Sequence, residues 1–390
     1  MKIADICEFY SPHGGGVRTY LDRKLAAAGS LGHEIVLIAP GERDHVEERA
    51  GGRIHFVAAP PLPFDRRYRM FWDAAPVHRL LDAERPDMVE ASSPWRGAWI
   101  AAAWAGAAPR ALVMHADPLS AYAYRWFGPV ARRETIDRHF AWFWRYLRRM
   151  AERFDLVVSA SEGLGARLRT GGIAGVATIP MGVDPGIFSP ALRDPALRRE
   201  LLRRCHLGPD AALLLGVGRH SAEKRWPLVI DAFLAASARR PIGLVLVGDG
   251  RHRRNVIRRV GGNPHVHLLA PIGDRPGMAR LMASADALIH GCECETFGLV
   301  AAEAVASGLP LIVPDGGGAA EMVSPSHGET YRATSARAAA SAILRLLDRD
   351  PARLRTGAIA AAGRARTLDC HFTELFDRYL AHTAGIRRAA

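Results

Sequence analysis

The fold is constrained most by a pattern that starts at Lys2: short apolar runs alternate with amphipathic helical stretches. Lys2 to Phe9 is rich in Ile and alternates loosely, then breaks at Ser11-Pro12-His13-Gly14-Gly15-Gly16 before an amphipathic run from Val17 to Ala28. This order reads as strand, glycine-rich turn and helix. Strand patterns return at Glu34 to Ala39, Arg53 to Ala58, Asp87 to Ala91, Ala111 to His115, Asp155 to Ser159 and Val176 to Pro180. Helical stretches such as Trp95 to Ala105 and Arg133 to Arg153 separate several of them. Such alternation predicts a parallel, doubly wound α/β sheet.

Between Gly182 and Pro195 the chain holds three prolines and two glycines, which reads as an interdomain linker. The alternation then restarts. Strands are predicted at Ala212 to Val217, Gly243 to Val247, Val266 to Leu269, Ala287 to Ile289 and Pro310 to Val313. Helices are predicted at Pro227 to Ala238, Arg253 to Val260, Met278 to Ala283 and Leu299 to Ser307. A helical tail follows at Ala336 to Leu347, Arg353 to Arg366 and Phe372 to Ala384. The expected organisation is a Rossmann-like domain over 1–184, a linker over 185–196, a second Rossmann-like domain over 197–370, and a helix over 371–390 that packs back on the first domain. A length of 390 residues suits two cores better than one.

With 49% hydrophobic and 24% charged residues the composition is globular. The acid at Asp5 and the lack of a following small-residue cleavage site argue against a signal peptide, and no uncharged apolar run reaches roughly 18 residues. A cytoplasmic protein, soluble or at the inner face of a membrane, is expected. Five scattered cysteines argue against a disulfide framework. Cys292 and Cys294 beside His290 raise a soft-metal site, but C-x-C lacks the usual zinc spacing and no second ligand pair follows, so no metal is expected. The net charge of +12 favours anionic partners without choosing between phosphorylated ligands, nucleic acid and anionic lipid.

The stretch His290 to Glu303 places Glu295 in a turn and Glu303 inside a helix, eight positions apart. Thr296 stands in that turn, and the amides of Phe297, Gly298 and Leu299 would face an anion at the helix start. A phosphate beside two acids suits a sugar nucleotide; an exposed turn acid and a solvated helix acid remain the alternative. Gly15 and Gly16 could let backbone approach a phosphate, or form a plain tight turn. Because no glycine stands three positions beyond Gly16, a dinucleotide dehydrogenase is disfavoured. Arg219 and Lys224, after the first strand of the second half, could grip two phosphates or form a solvated pair of cations. His115 ends a strand of the first half, where it could contact a sugar hydroxyl, move a proton or serve structure alone.

Arg132 to Phe154 carries an aromatic face and a basic face. This suits a helix packed on its sheet, or one lying on an anionic membrane surface near Trp126 and Trp142. The basic run Arg251 to Arg259 has no interleaved aromatics and no nucleic-acid motif, so nucleic acid is not expected as a partner.

Taken together these motifs resemble glycosyltransferase family 4. Glu295-Thr-Phe-Gly-Leu-Val-Ala-Ala-Glu303 is similar to the family's E-x7-E signature, Val217-Gly218-Arg219 with Glu223-Lys224 to its diphosphate-binding segment, and Met181-Gly182-Val183-Asp184 to the start of its linker. Gly14 to Gly16 and His115 match its glycine-rich loop and its histidine near the reacting sugar. The resemblance implies a GT-B fold with two Rossmann-like domains facing across a cleft. It also implies metal-independent, cofactor-free, retaining transfer of a sugar from a nucleoside diphosphate to a hydroxyl of a glycan, lipid or lipid-linked acceptor.

By position, Arg219 and Lys224 would bind the diphosphate, assisted by amides near Gly16 and Phe297 to Leu299. Glu295 would hold donor-sugar hydroxyls, Glu303 the ribose hydroxyls, and His115 would orient the sugar. The alternatives are a non-catalytic nucleotide-sugar-binding or assembly subunit, and a nucleic-acid-binding protein. Cys292-Glu293-Cys294 is unusual for the family, and Glu293 is a candidate third carboxylate near the donor sugar.

Overall fold

The computed structural model describes residues 1–11, 16–63, 65–115, 117, 119, 123 and 133–389. Gly14, Gly15, Trp126 and Arg132, singled out above, lie outside the described residues. The chain divides into two compact units: one holds the described residues up to Met181, apart from Leu119 and Ala123, and takes in the chain from Leu368; the other holds Gly182–Thr367 with Leu119 and Ala123.

In the first unit the strands are β1 (Lys2–Ile6), β2 (Glu34–Gly41), β3 (His45–Arg49), β4 (Gly52–Ala58), β5 (Pro61–Leu62), β6 (Asp65–Arg69), β7 (Met88–Ala91), β8 (Arg110–Met114), β9 (Leu156–Ser159) and β10 (Val176–Thr178). Its helices are α1 (Gly16–Ser30), α2 (Ala75–Glu84), α3 (Arg96–Ala103), α4 (Arg133–His139), α5 (Ala141–Ala151) and α6 (Glu162–Thr170). The eight-stranded sheet runs β10-β9-β8-β7-β1-β2-β4-β3, and β5 pairs with β6 separately. Every pairing in the large sheet is parallel except β3 with β4. Strands covered on both faces read as continuous apolar runs, which is why the seven parallel strands were legible. His-Val-Glu-Glu-Arg on β3 is a mostly exposed edge with one apolar side chain, so it gave no strand signal. The helix predicted over Arg133 to Arg153 is two helices, since Phe140 leaves helical geometry (φ −96°, ψ 20°) between α4 and α5.

The second unit adds α7 (Pro195–Arg204), β11 (Ala212–Val217), α8 (Trp226–Ser237), β12 (Ile242–Val247), α9 (Arg253–Val260), β13 (Val266–Leu269), α10 (Arg275–Ser284), β14 (Ala287–Ile289), α11 (Leu299–Ala306), β15 (Leu311–Pro314), β16 (Gly328–Tyr331), α12 (Ala336–Leu347) and α13 (Pro351–Ala362). Its sheet is parallel throughout in the order β13-β12-β11-β14-β15-β16. Strand order reverses between β11 and β14, and in open α/β sheets ligands bind outside the strand carboxyl ends at such a switch point. The segment expected as a linker begins to fold at once. Ser189 and Asp194 cap a single helical turn at Pro190–Leu192 and α7, with proline at the first helical positions of each. Val183 and Phe188 are buried in the core of this unit.

The tail returns as α14 (Leu368–Ala389), grouped with the first unit. Phe372, Leu375, Phe376 and Tyr379 are buried along it. Tyr379 Oη donates to Glu90 on β7 at 2.8 Å. Glu90 stands opposite Asp5 across the β1–β7 pairing, and both carboxylates take the ammonium of Lys24 from α1, all three groups being fully buried.

Candidate active site

The residues that follow β11 and β14 in the second unit converge at its switch point. After β11 the chain makes a single helical turn, Ala222–Lys224, passes through Arg225 in left-handed geometry (φ 49°) and enters α8. Trp226, buried at the start of α8, donates Nε1–H to the Arg219 carbonyl at 2.9 Å and so fixes the loop's two ends to each other. Lys224 is thereby turned inward and forms an ion pair with Glu295, the two side chains being 14% and 16% exposed. Burial lowers the Lys224 pKa. Arg219, by contrast, is 75% exposed and pairs with Glu223 at 3.5 Å. The predicted pair of cations is therefore one buried ammonium already engaged with a carboxylate, and one guanidinium in solvent.

Glu295 lies in the turn between β14 and α11. Gly318 N donates to the Glu295 carbonyl at 2.7 Å, and a Cβ on Gly318 would fall 2.4 Å from the Thr296 carbonyl oxygen, so only a glycine fits against this turn. Gly298 has φ +84° and precedes α11 without a side-chain cap. The first intrahelical bond runs from Ala302 N to Gly298 O, which leaves the amides of Leu299, Val300 and Ala301 without an intrahelical acceptor. The predicted amide end at Gly298 and Leu299 is thus present, with Phe297 packed against the core.

Glu303, on the buried face of α11, accepts from Arg275 at 2.7 Å. Arg275 also donates to Asp184 at 2.7 Å and lies over the Phe188 ring. Burial raises the Glu303 pKa, and the Arg275 guanidinium works against that rise. Glu293 is not a free third carboxylate. It is 8% exposed and holds Arg225 in a two-point ion pair, one contact being Nε to Oε2 at 2.7 Å. For Arg225, burial disfavours the charged form, but Glu293 outweighs it and the pKa is raised. Sequence reasoning missed both Arg225 and Arg275. Arg225 adjoins Lys224 in the chain and Arg275 opens a helix, but their acid partners lie far off in sequence.

His290 follows β14 and is 1% exposed. Its Nε2 faces Glu295 Oε2 at 3.3 Å, and a ring nitrogen of His290, Cys292 Sγ and a carboxylate oxygen of Glu295 fall within 4.8 Å of one another. Burial, and then the Lys224 charge, push the His290 pKa down to about 3, so the ring is neutral at pH 7.

In the first unit Gly16 is the first residue of α1. His115 follows β8, partly buried and edge-on to Tyr20 with ring centres 4.7 Å apart. Burial pushes its pKa down to about 4, and its Nε2 has no hydrogen-bond partner among the described residues. A neutral imidazole there can orient a hydroxyl but carries no proton to give at pH 7. Tyr20 Oη meets His371 Nε2 of α14 at 2.9 Å, and His371 Nδ1 donates to the Pro180 carbonyl at 3.0 Å. On α5 the aromatic face is core, with Phe143, Trp144 and Leu147 buried, while Trp142 is 56% exposed and Arg145 and Arg149 stand beside it in solvent.

Two units with parallel doubly wound sheets, and acids, a buried ammonium and open helix amides at the switch point of the second, define a GT-B glycosyltransferase. The chain belongs to glycosyltransferase family 4. The Glycosyltransferase Family 4 profile matches residues 14–186 and the Glycosyl transferases group 1 profile residues 211–349. A GDP-mannose-dependent alpha-(1-6)-phosphatidylinositol dimannoside mannosyltransferase of Mycobacterium tuberculosis (strain ATCC 25177 / H37Ra) is 30% identical over 334 residues, 84% of this chain and 83% of that one. A GDP-mannose-dependent alpha-mannosyltransferase of Mycobacterium tuberculosis (strain CDC 1551 / Oshkosh) is 31% identical over 83% of this chain and 82% of its own.

Among solved structures, sucrose-phosphate synthase from Thermosynechococcus elongatus superposes with a TM-score of 0.78 at 20% identity, covering 99% of this chain and 100% of that one. A glycosyltransferase from Rickettsia africae does so with 0.71 at 18%, covering 98% of each. These two likenesses are of fold alone. Among the described residues no helix is long and apolar enough to cross a membrane.

Proposed function

We propose that the chain transfers mannose from GDP-mannose to a hydroxyl of a glycolipid of the phosphatidylinositol mannoside type, with retention of configuration and without a metal ion. The reading rests above all on the largely enclosed Lys224–Glu295 pair at the β11–β14 switch point, its side chains 14% and 16% exposed. Such a pair suits a ligand carrying both phosphate and hydroxyls: the diphosphate takes the ammonium, and Glu295 turns to the sugar hydroxyls. The donor is the one in the names of both mannosyltransferases described above, and the acceptor class the one in the name of the first.

In the reaction the bond from the sugar's anomeric carbon to the diphosphate oxygen breaks, and a bond to the acceptor oxygen forms on the same face. The acceptor's proton passes to the departing phosphate. Lys224, Arg219 and the amides of Leu299 and Val300 stabilise the charge gathering on that phosphate, the role a cation would otherwise fill. Glu303 takes the ribose hydroxyls, with Arg275 holding its carboxylate in place.

The lipid acceptor accords with a peripheral station at the cytoplasmic face of a membrane. The exposed stripe Trp142, Arg145 and Arg149 on α5 is the contact expected with anionic lipid. Incubation with GDP-, UDP- and ADP-sugars and an acceptor series, read as nucleoside diphosphate release, tests the reading. Release with GDP-mannose, abolished by Glu303→Ala, is expected. No turnover of any donor, or full activity in Glu303→Ala, would sink it.

A further inference from the structure

His290, Cys292 and Glu295 make a second kind of site. The His290 backbone is held at both ends, its N–H donating to the Ile312 carbonyl at 2.9 Å and its carbonyl accepting from Tyr331 Oη at 2.6 Å. A backbone group of Cys292 engages the ring, and among the described residues Nε2 has no hydrogen-bond partner. That nitrogen faces Glu295 Oε2, which also has none, across 3.3 Å. With the ring proton on Nδ1, toward the Cys292 backbone, two acceptors face each other here, and a positive or hydrogen-bearing group between them removes the repulsion. Cys292 Sγ, on a residue 2% exposed, supplies a third lone-pair atom within the same 4.8 Å.

Imidazole nitrogen, thiolate sulfur and carboxylate oxygen are together a zinc donor set, and tetrahedral bonds of about 2.0 to 2.3 Å hold ligand atoms about 3.5 Å apart. The His290–Glu295 separation already meets that spacing. One thiolate and one carboxylate neutralise a dication, and the Glu295 oxygen that faces His290 is then taken by the metal and is no longer offered to a sugar hydroxyl.

We propose that His290, Cys292 and Glu295 capture a thiophilic divalent ion, zinc before others, and that its binding opposes sugar transfer by withdrawing Glu295 from the donor sugar. On capture the Cys292 S–H bond is replaced by a sulfur–metal bond, and the proton leaves to solvent. The inhibition rests on the function proposed above; the capture does not.

The test titrates the chelator-treated full chain with cobalt(II). A thiolate-to-cobalt charge-transfer band in the near ultraviolet, saturating at a single equivalent and erased by zinc, is expected. The band should vanish in Cys292→Ser, persist in Cys294→Ser, and need at least about tenfold more cobalt in Glu295→Gln. Metal-free melting temperatures verify that each variant is folded, and Cys292→Ala replaces Cys292→Ser if the latter is not. Zinc should also slow nucleoside diphosphate release in the unaltered chain at the concentration that erases the band. In Cys292→Ser it should leave the rate equal to that variant's own zinc-free rate.

Absence of the band, a band unaffected by Cys292→Ser, or a band lost instead in Cys294→Ser overturns the site. Bound zinc with an unchanged rate overturns the inhibition. A normal band in a protein that turns over no nucleotide sugar refutes the functional reading and leaves the capture site standing.

Discussion

Replacing Lys224 by methionine separates what the Lys224–Glu295 pair does for the fold from what it does for the reaction. The substitution keeps much of the side-chain length and removes the charge, leaving the Glu295 carboxylate 16% exposed and facing His290 Nε2 at 3.3 Å. Breaking a buried ion pair from one side costs about 3 to 5 kcal/mol, and the residual exposure of both side chains argues for the lower figure. At about 2 to 4 °C per kcal/mol for a folding unit of this size, the melting temperature should fall by roughly 6 to 12 °C.

Transfer should suffer separately. Loss of one donor that stabilises charge in a transition state lowers turnover by about 10² to 10³. Adding Glu295→Gln to Lys224→Met removes the stranded charge and gives His290 an amide N–H to accept. Scanning calorimetry should then recover more than half of the lost melting temperature while transfer stays lost. A double variant that melts no higher than Lys224→Met, or a single variant active to within a few-fold of the parent, would refute the account of this pair.

Three further outcomes follow from other parts of the molecule. Lys24→Met strands Asp5 and Glu90, both fully buried, and should cost about 3 to 5 kcal/mol by urea unfolding, most of it regained when Asp5→Asn and Glu90→Gln are added. His290 titrates near 6.5 when unfolded and about 3 when folded, so between those values the unfolded chain binds more protons and stability falls as pH falls. His115 acts in the same sense. The loss through His290 approaches about 1.4 kcal/mol per pH unit in that window, and His290→Asn should flatten the curve measured by urea unfolding from pH 6.5 down to 4. Arg145→Glu with Arg149→Glu should abolish sedimentation with anionic liposomes, and unchanged binding would remove α5 as the membrane contact.

The sequence exposed the scaffold because buried parallel strands and helical periodicity leave local traces. Where the trace is weak, reading failed: β3 carries three charges in five residues, and β16 opens on Gly328 and Glu329. Between Gly182 and Pro195 proline has a second use that its density hides, since Pro190 and Pro195 follow Ser189 and Asp194 as helix starts inside the second unit. In the site, the spacing of Glu295 and Glu303 and the place of Lys224 after a strand were legible because each belongs to one loop or helix. Their partnerships were not. Lys224 with Glu295, Arg225 with Glu293, and Arg275 with both Asp184 and Glu303 depend on which strand ends adjoin in the sheet, and sequence spacing carries no record of that. Glu293 looked like a spare carboxylate for the same reason. The burial of Lys24 on the inward face of α1 equally required the opposed acids of β1 and β7.

The central claim is retaining transfer of mannose from a nucleotide donor, and the anomeric configuration of the product tests it most directly. The purified chain would be incubated with GDP-α-mannose and a phosphatidylinositol mannoside acceptor, and the new linkage read from its one-bond carbon–proton coupling by NMR. An α-mannoside formed with stoichiometric release of GDP is the predicted result. A β-mannoside, or GDP-mannose left intact beside every acceptor offered, would contradict it.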